Sequence, residues 1–199
     1  MTCRRPNAPA PHAGPPKRRA SRPRPCGQGR TGFSLVELAI AISILLIGMV
    51  SVITATSQMH SLRRQNRERT LAQNGVRSVA ERMQSRSYQL VQDDPDAWAT
   101  TLIAEFGAGS PGEEFAIQEL NVVLGENAVG TVRLVTDERL DDAALLVRVG
   151  MPRDLNGDGD ANDADVTGDA VLLPVVLTAQ WRGITGTQTY RHGFYLMGY

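Results

Sequence analysis

The period of the hydrophobic pattern changes twice along this chain. Residues 1–32 show no period and are rich in Pro, Arg and Ala. Residues 33–56 are almost all apolar or small, and no Asp, Glu, Lys or Arg occurs across residues 38–62. As a helix, the 24 residues of 33–56 would rise roughly 36 Å, more than the hydrocarbon core of a bilayer demands. From about residue 59 the run becomes mixed. Leu62, Ala72, Val76, Val79, Met83 and Leu90 recur at three, four or multiples of these, as on one face of an amphipathic helix. Pro95, flanked by Asp93, Asp94 and Asp96, ends the pattern. The sequence therefore predicts one helix of roughly 55–60 residues. Its first half is suited to a membrane and its second half carries a stripe to lay on a sheet.

Residues 98–106 predict a short second helix, and after the glycines of 107–112 the period falls to two. Strands are expected at 115–124, 130–136, 143–150, 171–182 and 187–197, with turns at Gly125 and between Gly183 and Gly186. A long helix followed by consecutive strands implies an α+β domain, an antiparallel sheet of about four to five strands packed on a helix. The organisation read from these shifts is a leader over 1–32, a membrane helix over 33–57 and a globular domain over 58–199.

Charge sharpens this division. The formal net charge is zero, but residues 1–32 hold eight Lys/Arg and no acid, so the remainder carries −8. A basic segment before an apolar run places the N-terminus in the cytoplasm by the positive-inside rule. The acidic remainder would lie outside it and is a poor match for nucleic acid, which favours a basic patch. Both cysteines, Cys3 and Cys26, fall in the leader. Loss of the leader would leave a chain without thiols or disulfides.

The junction Gly32-Phe33-Ser34-Leu35-Val36-Glu37 stands where the basic leader meets the apolar run. It resembles the class III signal of type IV prepilins and of type II secretion pseudopilins. That resemblance implies a prepilin peptidase that cuts after Gly32 and N-methylates Phe33. Glu37 would become the fifth mature residue. In the family this carboxylate neutralises the N-terminal amine of an adjacent subunit, and an ion pair is what makes such a charge tolerable in an apolar core. The family's major subunits commonly carry a proline midway along the membrane helix. Thr54 stands at that position here, which favours a minor subunit. The resemblance further implies other pilin or pseudopilin subunits as partners, the bacterial inner membrane as the first location, and a periplasmic domain.

A second constellation spans residues 154–165. It resembles the calcium loop of EF-hands and dockerins. Oxygen ligands fall at Asp154, Asn156, Asp158, Asn162 and Asp165, with the Asp160 carbonyl at position seven and Gly159 at the sharp turn. Calcium, as a structural ion, is the cofactor expected of this pattern. Pro152 before it and an expected strand after it differ from the helices that flank an EF-hand, so only the ligand spacing carries over. A solvated acidic hairpin loop is the alternative.

No Ser/His/Asp arrangement and no phosphate-binding Gly-Lys loop occurs, and His12, His60 and His192 are scattered. The function expected is assembly rather than catalysis, as a minor pilin or pseudopilin that enters or primes a pilus or pseudopilus. The alternative is a membrane-tethered, calcium-dependent binding module that does not polymerise.

Overall fold

The computed structural model describes residues 32–198. Apart from Gly32, the leader and its two cysteines lie outside the described residues. The chain divides into two compact units, residues 1–48 and 49–199. The described part of the first is apolar helix, exposed throughout. The second holds the rest of that helix and all the remaining elements.

The first helix, α1, runs Leu35–Asp93 and is 59 residues long, within the length the pattern predicts. Its side chains are exposed through residue 60. Beyond that, Ala72, Val76, Val79, Ala80, Met83, Ser87 and Leu90 are buried. The spacings among them are those of one helical face. Leu62 was expected on that stripe and instead lies outside the core, 56% exposed. No strand reaches back far enough to cover it. The second helix, α2 (Trp98–Phe106), falls where the sequence places it and buries Trp98, Ala99 and Leu102. Arg86 and Glu105 join the two helices, with the guanidinium Nε donating to both carboxylate oxygens at 3.0 and 2.9 Å. That bonding holds the Glu105 carboxyl below its ordinary range.

The sheet has four antiparallel strands in the order β1-β2-β3-β4. These are β1 (Glu114–Phe115), β2 (Gly130–Leu134), β3 (Leu172–Gly183) and β4 (Gly186–Met197). The long hairpin β3–β4 pairs from Leu172↔Met197 to Gly183↔Gly186. Gly186, at φ 111°, closes its two-residue turn, a backbone region that favours glycine. The inner strand β3 is buried along most of its length, whereas β4 lies at the edge and is largely exposed. Thus the fold is α+β, a long N-terminal helix packed on an antiparallel sheet, as in pilins. The core forms from the α1 stripe, α2 and β3, and Met83, Leu102, Leu155, Leu173 and Leu177 are fully enclosed.

Two expected strands are replaced. Only Glu114 and Phe115 pair in the first, because the chain then turns to lay Ile117 against the helix backbone. A Cβ on Gly75 would stand 2.8 Å from the Ile117 side chain, so this approach requires glycine. The strand expected at 143–150 is instead a short helix, α3 (Asp142–Leu145), followed by a loop. Asp141 caps it by accepting from the Ala144 N–H at 2.7 Å. The Asp142 carboxylate then takes the N–H groups of Val149, Gly150 and Met151 at 3.0, 3.1 and 3.0 Å. Local carboxylate capping has consumed the donors a strand ladder would have used. Those same bonds, with Met151 and Val149 foremost, hold the Asp142 carboxyl below its usual range.

Met83 is fully enclosed where α1 meets the sheet. Met83→Ala is expected to lower unfolding stability by about 2–5 kcal/mol, measured by denaturant unfolding of the detergent-solubilised chain.

Candidate functional sites: the signal junction and the acidic loop

Gly32, Phe33 and Ser34 precede the helix, which opens at Leu35, and the Ser34 carbonyl accepts from the Leu38 N–H at 3.1 Å. The described part of the junction is thus exposed, non-helical chain at the mouth of a helix. Glu37 lies in the first turn of α1. A carboxylate there is favoured by the helix dipole. It takes part in none of the ion pairs formed among the described residues. The apolar surface around and after it, from Leu35 to Ile53, is exposed. Among the described residues, α1 is the one helix long and apolar enough to cross a membrane. Thr54, at the position of the family's proline, bonds its hydroxyl back to the Val50 carbonyl at 2.7 Å. The helix continues through this point, as a threonine allows and a proline would not without a kink.

The acidic loop is wound by its own side chains. Asp154 accepts from Gly157 N–H at 2.5 Å and from Gly159 N–H at 2.9 Å. Asn156, Asp158 and Asp160 each accept from the N–H two residues on, at 3.1, 3.0 and 2.9 Å. Gly157 and Gly159 take positive φ, 85° and 101°, so both turns need glycine. Asn162 contributes its N–H to Asp160. Asp165 is bonded elsewhere, with Thr167, whose N–H it accepts at 3.1 Å and whose hydroxyl it also accepts. Those bonds hold the Asp165 carboxyl low.

Two acids outside the predicted loop, Glu138 and Asp169, join it here, and Asp163 within it is engaged though not among the expected ligands. The Asn156 amide donates to Asp163 at 3.1 Å and to Asp169 at 3.3 Å. Burial raises the Asp163 carboxyl above its usual range, and the neighbouring charges of Asp158, Glu138 and Asp160 add to the effect. Glu138 is 0% exposed. Its two oxygens accept from the Leu155 N–H at 2.5 Å and the Asp163 N–H at 3.3 Å. No arginine or lysine pairs with it among the described residues. The Leu155 side chain is also fully buried, and its carbonyl accepts from Val171 and Leu172, both at 2.9 Å. The loop entry is thus pinned to β3. A lone Glu sixteen residues before the loop carries no spacing signal, so only the fold brings it here.

Among the described residues, no three His, Cys, Asp or Glu side chains form a metal-ligand group. The donor set expected at this loop is half amide and carbonyl oxygen, and its carboxylates, which accept one donor at Asp158 and two each at Asp154 and Asp165, retain further lone pairs.

Among known families, the prokaryotic N-terminal methylation motif matches residues 28–53 of this chain. This is the class III signal of type IV pilin-like proteins, and here it heads an α+β pilin-like fold. The signal together with the apolar helix points to a membrane anchor. No curated protein matches the chain. No solved structure matches it.

Glu138→Ala would leave the Leu155 and Asp163 N–H groups buried without their acceptor. A loss of about 1–3 kcal/mol is expected, together with faster amide exchange at Leu155, measured by hydrogen–deuterium exchange.

Proposed function

We propose that this chain is a minor pilin or pseudopilin, anchored first in the inner membrane and then assembled into, or priming, a type IV pilus or type II secretion pseudopilus. The observation that carries the reading is the order of Gly32-Phe33, a helix start two residues later, and Glu37 in its first turn, all within the matched motif. Prepilin peptidase cuts after Gly32 and methylates the Phe33 amine. The leader stays cytoplasmic and the domain from residue 58 onward is periplasmic. In the assembled form, Glu37 neutralises the amine of a neighbouring subunit within packed apolar helices. An unpaired carboxylate there is costly, so pairing sets the axial register between subunits. Thr54 in place of the helix proline supports the minor role.

The acidic loop is a structural calcium site in this reading. Asp154, Asn156, Asp158, the Asp160 carbonyl, Asn162 and Asp165 are the proposed ligands. Support comes from the buried Glu138, which has no cationic partner among the described residues, and from the burial and neighbouring negative charges that raise Asp163. Bound calcium supplies positive charge that offsets this repulsion and orders the loop between α3 and β3.

Protein purified from its native membrane should begin at N-methylated Phe33 by mass and N-terminal sequencing. An intact leader, or a cut beyond residue 55, would falsify the pilin reading. Glu37→Val should leave membrane insertion intact and abolish incorporation into sheared filaments or cross-linked subunit complexes. Unchanged assembly would favour a tethered module that does not polymerise. Calcium at about a hundred times its dissociation constant should stabilise the domain by about 2.7 kcal/mol. That gain should disappear with chelator or in Asp158→Ala. A melting temperature indifferent to calcium sinks the metal reading.

A further inference from the structure

The last strand, β4, leaves one side of its backbone open, and the ladder fixes which groups are involved. Gly183↔Gly186 closes the hairpin across a two-residue turn, so these two residues bond to each other. The pairs Trp181↔Gln188, Ala179↔Tyr190 and Leu177↔His192 bond in the same way, because such pairs alternate along an antiparallel ladder. Thr187, Thr189, Arg191 and Gly193 therefore turn their N–H and C=O groups away from β3. The same alternation shows on the other side of β3, where Arg182 and Gln180 donate to the Asn121 and Val129 carbonyls at 2.9 and 2.7 Å. Among the described residues, no backbone bond outside the ladder reaches Thr187, Thr189, Arg191 or Gly193. The opposite edge of the sheet is β1, only two residues long, which gives another chain little to pair with.

A groove runs between this open edge and α1. At one end a cavity of about 300 Å³ lies between Gln65 and Asn66 of the helix and Gln188, Thr189 and Tyr190 of the strand. A second, of about 480 Å³, lies between Gln73, Asn74 and Gln84 and the strand at Tyr190 and His192. A third, of about 220 Å³, lies between Gln84 and Ser87 and the strand at Tyr195 and Met197. Tyr190 lines the first two and Gln84 the last two, so the three follow one another along β4. The helix wall is rich in amides, and its central charges, Arg77 and Glu81, are closed on each other at 2.8 Å.

The face of β4 turned away from α1 is basic. Arg191 projects there, since its neighbours Tyr190 and His192 face the helix. Arg182 stands opposite Thr187 on the same face, and the Arg153 guanidinium lies 5.4 Å from the Tyr195 ring centroid. All three arginines are exposed and form no ion pair among the described residues. They flank strand positions 187, 191 and 195, so a positive charge recurs at every fourth residue along the open edge.

We propose that β4 accepts an extended strand from a different protein, paired along Thr187, Thr189, Arg191 and Gly193. Its carboxylates face Arg182, Arg191 and Arg153, and its uncharged side chains enter the groove over α1. The backbone selects a strand, because outward donors and acceptors recur about every 6.8 Å and an added strand meets each in turn. Charge selects the partner. A second β4 would bring the same basic row and like charges across paired strands repel, whereas carboxylates attract. Both walls of the groove lie within residues 65–197, so the inference goes beyond the anchor and assembly reading and does not rest on it.

The test is residue-resolved amide exchange on the detergent-solubilised full chain, with a short synthetic peptide that alternates Thr and Asp as the probe. Alone, the chain should exchange Thr187, Thr189 and Arg191 quickly and Gln188, Tyr190 and His192 slowly. Saturating Thr/Asp peptide should slow the outward amides to the pace of the inward ones, and a Thr/Lys peptide should leave them fast. Thr189→Pro removes one outward N–H, a change an edge strand tolerates. It should keep the unfolding midpoint and lose the protection. Arg191→Glu should lose it too and leave the inward amides slow. Outward amides that stay fast in millimolar Thr/Asp peptide overturn the proposal, as does protection that survives Thr189→Pro or that the Thr/Lys peptide gives equally. Outward amides that slow as the concentration of the chain alone rises put a second copy on the edge and overturn the different partner.

Discussion

One helix serves two solvents, and the rest of the fold follows from that. From Leu38 to Thr56, α1 carries no charge and its side chains are exposed, a composition suited to lipid. Beyond Ala72 a single stripe is apolar, and it is buried against the sheet. Each fully buried Val, Leu or Met contributes about 1.5–3 kcal/mol. The domain therefore needs the second half of α1 as one wall of its core. The long helix and the globular domain cannot be separated at the point where the hydropathy changes.

The signal region brings together a methylation motif, a carboxylate at a helix mouth and an exposed apolar helix. Glu37 is informative because it is costly where it stands. In water it would be unremarkable. At the head of an uncharged run of this length a carboxylate is costly without a cationic partner.

The acidic loop shows how a surface connection becomes ordered. Asx turns wind it, two glycines permit the turns, and Leu155 anchors it in the core. Glu138 fastens it from a distant part of the sequence at the cost of a buried charge. The outcome is a crowded acidic cluster in which burial first, and then the neighbouring charges of Asp158, Glu138 and Asp160, raise the Asp163 carboxyl.

The helix was legible from sequence alone because its signals are local. Uninterrupted apolar residues, a regular stripe and Pro95 fix a start, a face and an end. The β3–β4 hairpin was legible for the same reason, through alternation and the Gly183–Gly186 turn. The signal junction is also local, being a run of neighbouring residues. Tertiary structure decided the rest. At 143–150 the alternation of a strand lost to the capping carboxylates Asp141 and Asp142, whose bonds to Ala144, Val149 and Met151 depend on how the chain doubles back. At 115–124 it lost to the docking of Ile117 on Gly75. Glu138 joined the acidic loop only once the fold brought it there, because charges far apart in sequence interact through space and leave no periodicity to read.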